Sequence, residues 1–238
     1  VVPGLPKPVR RVRLPSTAFF MDSEQIQANR EAHTHYFVAF IGGFLGIFPI
    51  VNAVHFLGSA QTSNLIDIVL ASLRGEWNSL ALHLFGAFLY CFAIFLATFL
   101  PKHTKLNVKI CALAIDFACA VAMWRFPIER NLPLIFYLYP TFFAMSFQWC
   151  AFKGAYGFVS ATIFSTNNLR QFVSAMTEVF CNGDKSFSLK AKFFGFTLLA
   201  FHLGVAASGV CWRFLGNAGF LLALLPICVV AFLLIQKR

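Results

Sequence analysis

The chain has 238 residues, of which 59% are hydrophobic and 12% charged, with a formal net charge of +10. A soluble domain carries about 25% charged residues, so this chain lacks the charge to coat a polar exterior, which excludes an ordinary soluble fold. The basic excess forms an N-terminal cluster (Lys7, Arg10, Arg11, Arg13) and flanks apolar stretches at Lys102, Lys105 and Lys109, at Lys185, Lys190 and Lys192, and at Lys237 and Arg238. Membrane orientation signals and contacts with lipid headgroups have this pattern, and no aromatic-basic stripe for nucleic acid accompanies it.

Residues 1–36 differ in kind from the rest. The first fifteen include Pro3, Pro6, Pro8 and Pro15 among the basic residues, which favours extended backbone over helix. This extension is expected to lie against other membrane protein subunits or a lipid headgroup layer. The chain opens on Val1 instead of methionine, which reads as a processed or partial chain. Asp22-Ser23-Glu24-Gln25 resembles a helix start, and that helix is expected to continue into the first span.

Six apolar stretches follow, at residues 37–57, 79–100, 107–124, 133–152, 193–212 and 215–235. A helix rises about 1.5 Å per residue, so about 20 residues cross a hydrocarbon core of about 30 Å. In the first span Gly42, Gly43 and Gly46 allow close helix packing, and Pro49 predicts a kink or local unwinding.

Between the spans lies an internal echo. Gln61-Thr62-Ser63-Asn64-Leu65 returns as Ser165-Thr166-Asn167-Asn168-Leu169, and Leu84-Phe85-Gly86 returns as Phe193-Phe194-Gly195. Each half then reads as a span, a motif segment and two further spans. This divides the chain into an extension (1–36), a first membrane repeat (37–131) and a second (132–238). The expected fold is an all-α, polytopic transmembrane helix bundle with six long spans, two shorter motif helices and an internal two-fold repeat. If the motif segments (59–73 and 158–180) cross fully there are eight transmembrane helices and parallel halves; if they re-enter there are six, with inverted halves.

Charges within the apolar body are costly unless paired or hydrated. Asp67, Asp116, Arg170 and Glu178 are the charges expected at membrane depth. Asp67 and Arg170 each follow a motif by less than two turns, and they are expected to meet near the repeat interface as an ion pair. Asp116 stands alone and could couple protons, or be satisfied by a neighbouring hydroxyl or carbonyl. Thr62, Asn64, Thr166 and Asn168 offer hydroxyls and amides at matching places. They either line a polar solute site or hold helices together.

The seven cysteines are scattered and form no Cys-x-x-Cys pair, and the histidines have no ligand spacing. No structural disulfide framework, protein-held metal or other cofactor is therefore expected. Neither a nucleophile-base set nor a phosphate loop is present, so no enzyme activity is expected.

Gly43-Phe44-Leu45-Gly46, Thr62-Ser63-Asn64, Met145-Ser146-Phe147-Gln148 and Thr166-Asn167-Asn168 occur in the order of landmarks in the YoaK-like bacterial membrane proteins, which the chain resembles over about residues 37–236. The resemblance adds Gln148 to the candidate sites. Gly46 stands where the family has an acid, and Ser63 and Asn167 replace the motif glycines. These departures, with the Pro-rich tail, the missing initiator and the lack of a catalytic set, point first to a non-catalytic accessory subunit of a larger membrane complex, and a processed basic N-terminus suits a mitochondrial or plastid inner membrane. The alternative is a small-solute or ion transporter with its site at the repeat interface, and a bacterial inner membrane suits the resemblance.

Overall fold

The computed structural model describes residues 16–52, 56–127 and 132–235. The partner contacts expected of residues 1–36 fall in part on residues 1–15, which lie outside that set. Nine α-helices are described: α1 (Ser16–Gly46), α2 (Phe48–Val51), α3 (Gln61–Arg74), α4 (Trp77–His103), α5 (Val108–Trp124), α6 (Tyr139–Ala151), α7 (Thr166–Phe180), α8 (Ser188–Leu215) and α9 (Leu224–Ile235). One small hairpin pairs β1 (Gly154–Ala155) with β2 (Phe158–Val159). Among the described residues, three helical stretches are by length and composition long and apolar enough to cross a membrane: Ser23–Val51, Trp77–His103 and Lys185–Ile235. The last holds 51 residues, interrupted by a 3-10 segment at Gly216–Ala223.

Local chemistry explains where the elements begin and end. Helix α1 runs from Ser16, so Asp22-Ser23-Glu24-Gln25 lies inside the helix and is not its cap. It breaks at Ile47, and α2 restarts with Pro49 in its first turn, where the missing N–H costs nothing. The apolar stretch at 133–152 is also broken, into a 3-10 turn (Leu134–Tyr137) and α6, which carries Pro140 in its first turn. Of the motif segment at 158–180, only Thr166–Phe180 is helical. Phe158 and Val159 belong to the hairpin, whose turn holds Tyr156 and Gly157 at φ 54° and 76°.

The two halves interlock. Helix α1 packs on α8 and α9 of the other half, and α6 packs on α4 and α5, while α3 lies on α4 and α7 on α8. Thus the same sequence of contacts occurs twice with the partners exchanged. Helices α1 and α8 run the same way, since Tyr36 neighbours Phe193 and Phe196, and Ile47 faces Gly209. Helices α4 and α6 also run the same way, through the ring pairs Phe85 with Tyr139, Tyr90 with Phe142 and Phe92 with Phe143. Phe48, Phe142, Phe147, Phe193, Phe194 and Phe220 fill the interior. The α1–α8 crossing is backbone against backbone: a Cβ at Gly43 would overlap the carbonyl oxygen of Phe201, and one at Gly204 that of Phe40. Such close approach is what small residues permit between membrane helices.

The bundle has two unlike ends. One carries Arg30, Lys102, Lys105, Lys109, Lys153, Lys185, Lys190 and Lys192 at helix ends and connections; the other carries Arg74, Arg125 and Arg213.

Candidate functional site

Two non-helical turns, one from each half, meet inside the bundle. Residues 57–60 lead into α3, and residues 160–165 lead into α7. Ser59 Oγ donates to the carbonyl of Ile163 at 2.9 Å, and Ser59, Ser160, Thr162 and Ile163 are all buried. Residues 59 and 163 are separated by 104 positions, as are Thr62 and Thr166. The bond therefore joins positions related by the same offset as the two motif threonines.

Each turn seats against the long helix of the opposite half. Gly58 leaves room for the Thr141 side chain of α6, and Gly42 of α1 leaves room for the Thr162 carbonyl. A side chain at either glycine would push the turn out of the bundle.

Exposed backbone polar groups are not tolerated in a membrane interior, so a turn there needs internal partners. Asn168 supplies most of them in the second half. Its Nδ2 donates to the carbonyls of Ala161 (2.7 Å) and Phe164 (3.2 Å), while its Oδ1 accepts from Ser160 Oγ (3.0 Å) and the Ala161 N–H (3.3 Å). In the first half, Asn64 Nδ2 donates to the His83 carbonyl at 3.1 Å, and its Oδ1 lies 2.8 Å from His83 Nδ1, which pairs as a donor in the Nδ1–H tautomer. Gly58 N–H closes the first turn onto the Gly46 carbonyl at 2.7 Å. The two motif asparagines are thus buried clamps, each 1% exposed.

Gln148 of α6 reaches across the same centre. Its Nε2 donates to the Val38 carbonyl (3.2 Å) on α1 and to Thr162 Oγ1 (2.9 Å). Its Oε1 is buried and has no hydrogen-bond partner among the described residues. Asp116 lies in the buried stripe of α5 formed by Ala112, Leu113, Cys119, Ala120 and Met123, and neither of its carboxylate oxygens meets a partner among the described residues. Next to it in that stripe, Cys119 Sγ donates to the Pro140 carbonyl at 3.4 Å, so this face of α5 is turned to α6. Both ring nitrogens of buried His35 are likewise unpartnered, and its ring lies 5.4 Å from that of Phe193.

Residues 34–234 match a family of proteins of unknown function, DUF1275. The chain belongs to this family. No curated protein and no solved structure matches it. The DUF1275 match runs from Thr34 in α1 to Leu234 in α9, and so covers the whole polar centre.

Of the eight residues singled out from the sequence, Asn64, Asp116, Gln148 and Asn168 are buried in this DUF1275 bundle. Thr62 and Thr166 are exposed in the first turns of α3 and α7, and Asp67 is half-buried. The expected pairing of Asp67 with Arg170 is not formed. Arg170 is exposed and donates to Asn167 on its own helix at 3.1 Å. The reason is directional: α3 leaves the centre alongside α4 toward the arginine-bearing end, and α7 leaves alongside α8 toward the lysine-bearing end. Glu178 sits in the last turn of α7, where Asn182 Nδ2 donates to it at 2.7 Å. Sequence reasoning missed Ser59, Ser160, Thr162, Thr141 and His35. The spacing of 104 residues, applied to Ser59, would have found the first contact.

Among the described residues, no group of three or more His, Cys, Asp or Glu side chains is arranged to hold a metal.

Proposed function

We propose that this chain is a six-span membrane transporter of inverted-repeat build that passes a small polar solute or ion through the polar centre. The carrying observation is the meeting of two non-helical turns at Ser59 and Ile163, beside a Gln148 amide oxygen that has no partner. Broken helices that contribute backbone and side-chain polar groups at mid-depth, one from each repeat, are how many transporters hold a solute between rocking halves. A purely structural core would gain from satisfying every buried polar atom. Here Gln148 Oε1 and both oxygens of Asp116, like the His35 ring nitrogens and Ser208 Oγ, have no hydrogen-bond partner among the described residues.

On this reading Gln148, Thr162 and Ser59 contact the solute, and Asp116 is the coupling carboxylate. The spans are α1, α4, α5, α6 with its preceding 3-10 turn, α8, and α9 with its preceding 3-10 segment. Helices α3 and α7 are re-entrant arms pointing to opposite faces. The excess of basic residues at one end supports a cytoplasmic or equivalent organellar setting for that end. The YoaK-like resemblance is consistent with the DUF1275 match. The accessory-subunit reading drew on the tail, whose first fifteen residues lie outside the described set, and on the altered motifs. Both motif asparagines nonetheless make their clamps with Ser63 and Asn167 in place of glycine.

The test is a stabilisation screen of the purified chain against inorganic cations and small polar metabolites, followed by uptake of any hit into vesicles. Transport predicts a solute that stabilises the wild-type chain but not Gln148→Leu, and whose uptake Asp116→Asn abolishes without unfolding the protein. Uptake that is unchanged in both variants would remove the site from this centre.

A further inference from the structure

We propose that the cleft between α7 and α8 is a binding site for one anionic phospholipid, with its phosphate at Lys192 and an acyl chain lying along Gly195. This rests on the membrane setting and is independent of any transported solute.

The cleft has a volume of about 320 Å³ and is walled by Phe172, Met176, Phe196 and Leu199, with Gly195 as its floor and Lys192 at its rim. Gly195 keeps it open, since a Cβ there would lie 3.0 Å from the Phe172 ring. Helix α7 is amphipathic, and its apolar Leu169, Val173 and Phe180 are exposed, as are Phe196 and Leu199 on α8. Ordered aqueous solvent is a poor occupant for such a wall.

Charge decides which lipid fits. Lys192 is exposed, and no ion pair engages it among the described residues. Lys190, one turn away from Phe187, holds its ammonium 5.9 Å from that ring, and Lys185 lies on the same connection. The neighbouring acids are turned to their own loop: Glu178 accepts from Asn182, and Asp184 accepts from the Ser186 N–H at 2.9 Å. The rim thus offers the Lys192 ammonium where a lipid phosphate lies, at the lysine-bearing end of the bundle, while the wall beneath it is apolar. On the following turns of α8, a second apolar depression of about 610 Å³ opens between α1, α8 and α9, lined in part by Phe40, Leu203 and Leu225. A chain entering at Lys192 therefore meets apolar surface as it goes deeper.

The experiment is native mass spectrometry of the full chain released from bilayers of equimolar phosphatidylglycerol and phosphatidylcholine. The proposal predicts one retained phosphatidylglycerol per chain, in preference to phosphatidylcholine. A lysine near the surface contributes about a fivefold preference for anionic lipid, so Lys192→Gln should cut retention about fivefold and Lys190→Gln/Lys192→Gln further. Leu199→Trp, which fills the cleft without touching charge, should also lower retention. Lys192 is exposed and Lys190 half-buried, and size-exclusion in mild detergent checks that each variant is folded before its lipid is counted. Equal retention of the two lipids, retention unchanged in Lys192→Gln, or a second copy of the chain in place of lipid would overturn the proposal.

Discussion

The two halves of the molecule solve the same problem with different chemistry. Where α1 meets α8, Gly43 and Gly204 bring backbone onto backbone; where α6 meets α4, Gly86 is a notch for the rings of Phe142 and Tyr139. The second motif asparagine stitches its own turn with four hydrogen bonds, whereas the first makes two contacts with a single histidine. Duplicated topology fixes which elements touch. It leaves each half free to choose how, and the cost of substitution follows the local wiring instead of the symmetry.

That contrast can be broken at several points. The largest effect is expected at the glycines. Gly204→Ala drives a methyl into the fixed Phe40 carbonyl and should cost about 3 kcal/mol or the folded state itself. Gly86→Ala meets the edge of a ring that can shift, and should cost about 1 kcal/mol. Melting followed by size-exclusion in mild detergent compares them, and equal losses would mean that the two crossings are alike. Next come the asparagines. Asn168→Ala strands the Ala161 and Phe164 carbonyls and should cost about 3 kcal/mol, whereas Asn64→Ala should cost about 1.5 kcal/mol, measured in the same way. The reverse order would contradict the wiring described.

Ser59→Ala removes one bond between the halves and should cost about 1 kcal/mol. Thr166→Ala and Arg170→Ala, both at exposed positions, should shift stability by less than about 0.5 kcal/mol. A large loss at Arg170 would restore the ion pair that the sequence suggested.

The helical bundle and the positions of the two motif asparagines were legible because hydropathy, periodicity and a recurring motif are local signals. What was not legible depended on direction. Asp67 and Arg170 lie five and four residues after their motif threonines, but whether such neighbouring places meet depends on whether the halves are parallel or inverted. The turn at residues 160–165 was hidden for another reason. Phe158, Val159 and Ile163 are apolar enough to extend a predicted helix, and only the turn signal in Gly154-Ala155-Tyr156-Gly157 argued otherwise. Thr162 acquires its role through Gln148 and Gly42, residues of other helices, which no local pattern reports.

The proposed transport through this centre is tested most directly by the accessibility of position 162, which requires no knowledge of the solute. In a variant lacking the native cysteines, Thr162→Cys is reconstituted and exposed to a membrane-impermeant thiol reagent added to one face or the other. Alternating access predicts modification from both faces, at a rate that changes when Asp116→Asn is added. A folded protein in which residue 162 stays protected from both faces would contradict the transporter reading and leave the polar centre a structural core.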